Sequence, residues 1–403
     1  MIQGVSALEE FSIKTDEGKT GVNRMIPVVI ILMLLVSVGY LAAGSLIMPD
    51  DSGVSSADCD SLNNSFEIVH SDGNTENITL PASYEPYDDE NDLILRTKLT
   101  ADAGHEWVMI WNMGHELEIS VGDELRLKVD NEGRRLFKGT VAYQYDFADL
   151  SEKDSNMELS IRFTDYANEN HQIGSVYIGD KASLMMMAIK DYQIGIWLAM
   201  IMVAVGTVTA VYTRIFSENK IGARGLVFMA IGVTVASVWF LLNSPAAQFI
   251  FPNIETARDC AFFFASTMPL PILMYIEKLF KGRYSKLFAG FKIASSVSFA
   301  VLVIGYFLLG YPLNTLFIPT EISAVAALGT TFAIITADLQ NRKIKEYYIA
   351  AIGIIGFIAF ALIYVIIFLL YPYKGDSGIV MMLGIILMYA SAILSYKKNN
   401  SKE

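Results

Sequence analysis

Four histidines, His70, His105, His115 and His171, are the chain's first candidates for metal binding or proton transfer, and all four precede Met185. The apolar second half has none. A zinc hydrolase built inside a helical bundle needs imidazole ligands there, so the sequence speaks against that chemistry and disfavours a membrane enzyme. His105 and His115 fall on separate predicted strands, without the spacing of a metal site. The acidic run Asp88-Asp89-Glu90-Asn91-Asp92 lacks the glycine-centred loop of an EF-hand and reads as solvated. Gly375-Asp376-Ser377-Gly378 matches a serine-protease nucleophile segment only by letters, since no histidine is near it in the chain. The last apolar helix has no lysine before Lys397, so a retinal Schiff base has no amine. Ile276-Glu277-Lys278-Leu279 ends the third helix without the Asp-Arg-Tyr of G-protein-coupled receptors. The expectation is a non-enzymatic protein without cofactor or metal.

Polar groups at the ends of apolar helices are the remaining candidates. Trp239, Asn243, Gln248, Arg258, Asp259 and Glu321 gather near loop ends on one side, with Tyr311 and Tyr371. Polar residues inside a membrane mark candidate sites, whereas at span ends they also serve as interfacial anchors. The candidate ligand set is Trp239, Asn243, Arg258, Asp259 and Glu321. Glu277, Lys292 and Asp338 lie toward the opposite side. Trp107 and Trp111 could stack on a sugar or fill a core. Cys59 and Cys260 both fall on the outer side and are a candidate disulfide, or two separate thiols.

The elements that position these groups follow from composition. Hydrophobic residues make up 53% of the chain and the mean hydropathy is +0.41, which places it in the membrane class. A bilayer core needs about 20 apolar residues per helix. From Met185 to Tyr396, seven runs reach that length, near 187–213, 222–243, 257–279, 287–309, 319–338, 347–370 and 378–396. Pro269 and Pro271 should bend the third, as a hinge or for packing. Upstream, Met25 to Met48 is another apolar run, too long for a signal-peptide core and read as an uncleaved anchor. Residues 1–24 form a polar tail, and 49–64 a linker rich in Asp, Ser and Asn.

Between anchor and bundle the pattern changes to period-2 alternation, the signature of half-buried strands. Leu93–Leu99, Glu106–Trp111, Leu117–Val121, Leu125–Val129, Leu136–Val141, Met157–Phe163 and Ile173–Ile178 are the predicted strands. Their spacing predicts a β-sandwich of jelly-roll type over 65–181. Tyr177, Gly179, Asp180 and Lys181 then join strand to first helix with no flexible linker, so a tilt can pass between them. The net charge of −12 is concentrated here, which argues against nucleic acid as a partner.

Loop charge sets the orientation. Arg214, Lys220 and Arg224 follow the first bundle helix; Lys278, Lys281, Arg283 and Lys286 the third; Arg342, Lys343 and Lys345 the fifth; Lys397, Lys398 and Lys402 the seventh. The alternate loops hold only Arg258 and Lys374. Basic loops stay cytoplasmic. The expected protein is therefore a multi-pass α+β protein of the cell membrane. Both termini are cytoplasmic, 49–184 is extracytoplasmic, 185–396 is the bundle and 397–403 a short tail.

This order of parts resembles the bacterial 7TM receptors with diverse intracellular signalling modules, the 7TMR-DISM family. The stretch from Val176 to Leu184 looks like that family's strand-to-helix junction. Asn243 to Asn253 and Met268-Pro269-Leu270-Pro271 look like its clostridial members. The resemblance implies an outer domain that binds a small molecule, such as a carbohydrate, and a bundle that passes the signal inward. After Tyr396 only Lys397 to Glu403 remain, without a cyclase or kinase motif. The expected partners are the bilayer, a small extracellular ligand and a separate cytoplasmic enzyme, a diguanylate cyclase or kinase. The alternative is a carrier: the layout also resembles membrane cargo-sorting proteins, although mid-span positions are mostly apolar, which disfavours a polar substrate path.

Overall fold

Alternating side chains build the first half. The computed structural model describes residues 59–85, 92–100, 106–130, 143–164, 172–190, 192–216, 220–251, 253–370 and 377–400. The expected tail, the anchor at 25–48, the expected strand Leu136–Val141, His105, His171, Tyr371 and most of the acidic run lie outside those residues. Twelve strands are described: β1 (Cys59–Ser61), β2 (Phe66–Val69), β3 (Thr75–Ile78), β4 (Ala82–Ser83), β5 (Leu93–Lys98), β6 (Trp107–Met113), β7 (Glu116–Val121), β8 (Glu124–Val129), β9 (Tyr143–Asp149), β10 (Glu158–Thr164), β11 (Gln172–Ile173) and β12 (Val176–Gly179).

All pairings are antiparallel. One sheet has the order β3-β2-β5-β10-β7-β8 and a second β1-β12-β6-β9, while β11 and β4 pair separately. Register keeps the apolar set on one face. Leu95 sits opposite Ile161, and Ile161 opposite Ile119. Phe163 likewise bridges Leu93 and Leu117. These residues meet Val108, Ile110, Val176 and Ile178 of the second sheet in a single buried core.

Several expectations change here. β1 lies inside the expected linker and pairs with β12, Cys59 opposite Gly179. Asn63 accepts a hydrogen bond from the Val176 amide at 2.8 Å, so residues 59–64 belong to the folded domain. The run Ile173–Ile178 is two strands rather than one, split at Gly174, where a Cβ would sit 1.9 Å from the Trp111 carbonyl oxygen. Only glycine permits that approach.

Nine helices follow among the described residues: α1 (Lys181–Lys190), α2 (Gln193–Phe216), α3 (Lys220–Asn243), α4 (Ile254–Thr267), α5 (Pro269–Leu279), α6 (Ser285–Leu309), α7 (Leu313–Gln340), α8 (Tyr348–Leu370) and α9 (Ser377–Asn400). Seven spans are long and apolar enough to cross a membrane, α4 and α5 forming one of them. Pro269 and Pro271 lack amide hydrogens, and the break between those two helices falls at Met268, where the sequence predicts a bend. The strand does not run directly into the first span. α1 intervenes, and α2 begins at Gln193. α8 and α9 approach closely through small residues, as membrane helices do. A Cβ on Gly353 would lie 1.7 Å from Ser391 Oγ.

One ion pair fastens the sandwich rim. Arg126 donates to both Asp154 oxygens at 2.7 and 2.8 Å. The Ser151 amide donates to the same carboxylate at 2.6 Å. Burial opposes ionisation of Asp154, but the bonds from Ser151 and the Arg126 pairing outweigh it and hold its carboxyl below the usual range. A carboxyl depressed in the fold stabilises above its unfolded value, near 3.9, and loses that contribution as pH falls through the folded value.

Two outcomes follow. Asp154→Asn should cost about 1–3 kcal/mol at neutral pH, because Arg126 loses its buried partner and keeps only the exposed Glu124 at 3.1 Å. The gap from wild type should narrow below pH ~4, read by denaturant unfolding across pH. Gly353→Leu should lower the thermal midpoint by overpacking α8 against α9, a cost of about 1–3 kcal/mol or more. Gly290→Ala, with nothing within 4 Å of the added carbon, should leave the midpoint at or above that of wild type.

Candidate functional site

The second sheet packs on both faces, because β6, β9 and β12 carry apolar or aromatic side chains on each. In β6, Val108 and Ile110 point into the sandwich, and Trp107, Met109 and Trp111 point the other way. In β9, Ala148 faces the sandwich while Tyr145 and Phe147 face outward. In β12, Tyr177 faces outward between Val176 and Ile178. That outer face packs on Leu184, Met187 and Ala188 of α1, Tyr192, Ile196 of α2, and Ala246 and Phe249 of the 3-10 turn Pro245–Phe249. Trp111 lies 4.7 Å from Tyr145 and 6.4 Å from Tyr192, ring centre to ring centre. Trp107 and Trp111 therefore belong to a seam between sheet and bundle, neither in the sandwich core nor on an open surface.

The junction residues start α1. The Asp180 carboxylate accepts from the Ala182 amide at 3.0 Å and the Ser183 amide at 3.2 Å, an N-cap. Lys181 Nζ lies 3.7 Å from the centre of the Trp107 ring. Gly179 ends β12 opposite both Cys59 and Trp107.

Among the described residues β9 is an edge strand, and no described strand pairs with its outward N–H and C=O groups. Bundle side chains take their place. Gln248 accepts from the Tyr145 amide at 2.8 Å and donates to the Tyr145 carbonyl at 3.1 Å. Two residues along the same edge, Arg258 donates to the Tyr143 carbonyl at 2.9 Å. Arg258 also donates to the Asn243 side chain at 2.8 Å and to the Asn243 carbonyl.

No family model, curated protein or solved structure matches the chain. The reading of the site therefore rests on its geometry.

Of the five candidate ligand residues, only Asn243 and Arg258 bond to each other. Asp259 turns away and accepts from the Tyr306 hydroxyl. Trp239 is half-buried one turn below Asn243 on α3, and Glu321 is exposed on α7. The sulfurs of Cys59 and Cys260 are not bonded to each other. Cys59 packs into the seam through β1, whereas Cys260 sits on α4 outside that cluster. Among the described residues, no group of three His, Cys, Asp or Glu side chains could hold a metal ion. Buried His115 instead holds the Gln172 carbonyl through Nε2 at 2.7 Å.

A second polar cluster lies at the far end of the bundle. Buried Asp338 of α7 accepts from the Tyr347 hydroxyl at 2.5 Å and pairs with Arg283 Nη2 at 3.0 Å. The Tyr284 hydroxyl adds a 3.4 Å contact. One carboxylate thereby ties the α5–α6 turn to α7 and to the start of α8. Glu277 and Lys292 pair beside it at 2.6 Å. Asp338, Glu277 and Lys292 are visible in sequence as polar residues near span ends, but no signal there identifies Arg283, Tyr284 and Tyr347 as partners.

Replacing Gln248 by Leu should strand both Tyr145 backbone groups, a loss of about 1–3 kcal/mol. Amide exchange across Tyr143–Asp149 should speed up by about tenfold or more, while β5 and β10 stay protected. Hydrogen-exchange mass spectrometry on the full chain checks this.

Proposed function

We propose that this protein is a non-enzymatic membrane receptor. In this reading the β-domain, of jelly-roll type and outside the cell membrane, senses a small molecule or carbohydrate. The bundle carries the change to a separate cytoplasmic enzyme, a diguanylate cyclase or kinase. Both termini face the cytoplasm, and the chain is a bacterial protein of the 7TMR-DISM kind.

The observation that carries this reading is the seam. A sensor needs a stiff contact between the part that binds and the part that crosses the bilayer. Here the outer face of the second sheet packs on α1, α2 and the 3-10 turn through Trp107, Met109, Trp111, Tyr145, Phe147 and Tyr177, and the β9 edge is clasped by Gln248 and Arg258. A shift of β6 or β9 would act on the mouth of the bundle through these contacts. The Asp338 cluster is a second discrete contact, at the end where output would be read. Two states of the bundle would differ in whether that pair is made.

The carrier reading is favoured by one feature. Beyond Phe357, no described side chain of α8 as far as Ile367 is buried, leaving an open flank where a lipid cargo could lie.

The two readings separate on what the chain holds in its native membrane. Cross-linking and purification through a tag after Glu403 should recover a cyclase or kinase repeatedly, and Arg283→Gln should change that yield severalfold. Recovery of envelope or cargo proteins without any signalling enzyme would sink the receptor and leave the carrier.

A further inference from the structure

Among the described residues, Arg258 is a charge without a counter-ion. A guanidinium has five N–H donors. Three are used at this seam, two on Asn243 and one on the Tyr143 carbonyl, and every acceptor is neutral. Nε is enclosed and has no hydrogen-bond partner. Among the described residues no carboxylate pairs with Arg258, although Asp259 is its neighbour in sequence and Glu255 lies one turn away. Asp259 is engaged by Tyr306 instead. The protein's other arginines that pack against its interior are treated differently: Arg126 has Asp154 and Arg283 has Asp338.

Nε and Nη2 share one edge of the guanidinium, the fork that matches two oxygens of a carboxylate or phosphate. That edge retains two unused donors and the full charge. Around it stand aromatic side chains: Tyr143 beneath the guanidinium at 5.9 Å, then Trp111 at 6.5 Å from Tyr143, then Tyr192. Tyr143 is 40% exposed, so the cluster opens to its surroundings. A charged fork beside aromatic rings at the end of a membrane bundle suits one ligand chemistry, an anionic group on an apolar body.

We infer that the seam binds an amphiphilic anion, with its carboxylate or phosphate on the Nε–Nη2 edge of Arg258 and its apolar part against Tyr143, Trp111 and Tyr192. This rests on the receptor reading and names the class of ligand. The anion takes the Nε donor and the second Nη2 donor, and as the charged, roughly twice as strong acceptor it draws the guanidinium toward itself and away from the neutral Tyr143 carbonyl. Binding therefore loosens the clasp on the β9 edge. The source is either an anionic phospholipid of the surrounding leaflet or a free amphiphilic acid.

The test uses the full chain, purified into phosphatidylcholine nanodiscs. Phosphatidylglycerol is titrated into the discs in one arm, and dodecyl phosphate or dodecanoate is added free in the other. Native mass spectrometry counts bound anions, tryptophan fluorescence reports on the seam, and amide exchange follows Tyr143–Asp149. The expected result is saturable binding of one anion with faster exchange in β9. Arg258→Gln should weaken it at least tenfold, and Arg258→Lys, which keeps the charge but not the fork, severalfold. Saturation in the first arm alone assigns a lipid, in the second alone a free acid, and either upholds the site. No saturable binding, or equal binding by wild type and Arg258→Gln, overturns it. Should Arg258→Gln fail to fold, Arg258→Lys decides: weakened binding upholds the proposal and unchanged binding overturns it. These readouts involve no cytoplasmic partner, so failure here is separable from failure to recover a signalling enzyme.

Discussion

A sheet edge shielded from water must have its backbone hydrogen bonds completed, and along β9 the bundle supplies those of Tyr145 and of the Tyr143 carbonyl. Each unmet N–H or C=O costs free energy once water is excluded. β9 meets that constraint with side chains from outside the sheet, Gln248 on Tyr145 and Arg258 on Tyr143. Much of the architecture follows from it. The 3-10 turn after α3 must reach the edge, so Ser244 caps it and Pro245 opens it. α4 must present Arg258 at the same height, and Asn253 fixes its start by accepting from the Thr256 amide at 3.0 Å. The seam is thus a hydrogen-bonded contact first and an apolar one second.

The two ends of the bundle use different devices. At the β-domain end, the charged partner of the clasp bonds, among the described residues, to neutral groups alone. At the far end, Asp338 is surrounded by donors, two hydroxyls and a guanidinium. A buried charge pair contributes little net stability, but losing either partner is costly. Such a contact favours discrete arrangements over gradual ones. Between the ends, the helices hold together by close packing through small residues, as at Gly353 against Ser391, and by interhelical hydrogen bonds such as Tyr389 to Thr209 at 2.6 Å.

The seven spans were legible in sequence because bilayer thickness demands a length of apolar chain that nothing else requires. The strands with strict alternation, such as Leu93–Lys98 and Glu158–Thr164, were legible for the same kind of reason: one of their faces meets water. β9 was not, since Tyr143–Asp149 has bulky or buried side chains on both faces and no clean period. β1 hid among Asp and Ser because an edge strand of three residues carries almost no pattern. Of the site, Arg258 and Asn243 announced themselves as polar residues at span ends. Their partner Tyr143 did not, because the contact joins residues more than a hundred positions apart through a backbone carbonyl, which any residue type would supply. The Trp107 and Trp111 faces were equally hidden, since alternation shows that two faces differ without showing what covers either.

The way the β9 edge is capped also bears on how the protein can be handled. A domain excised at residue 179 would lose Gln248, Arg258 and α1 together, baring an unpaired strand edge beside Trp107, Trp111, Tyr145 and Phe147. An exposed edge next to an aromatic surface is a template for strand addition. The β-domain is therefore not a portable module. Its solubility as a single chain is conferred by the helices it sits on, and a cut at the apparent boundary would yield a self-associating fragment.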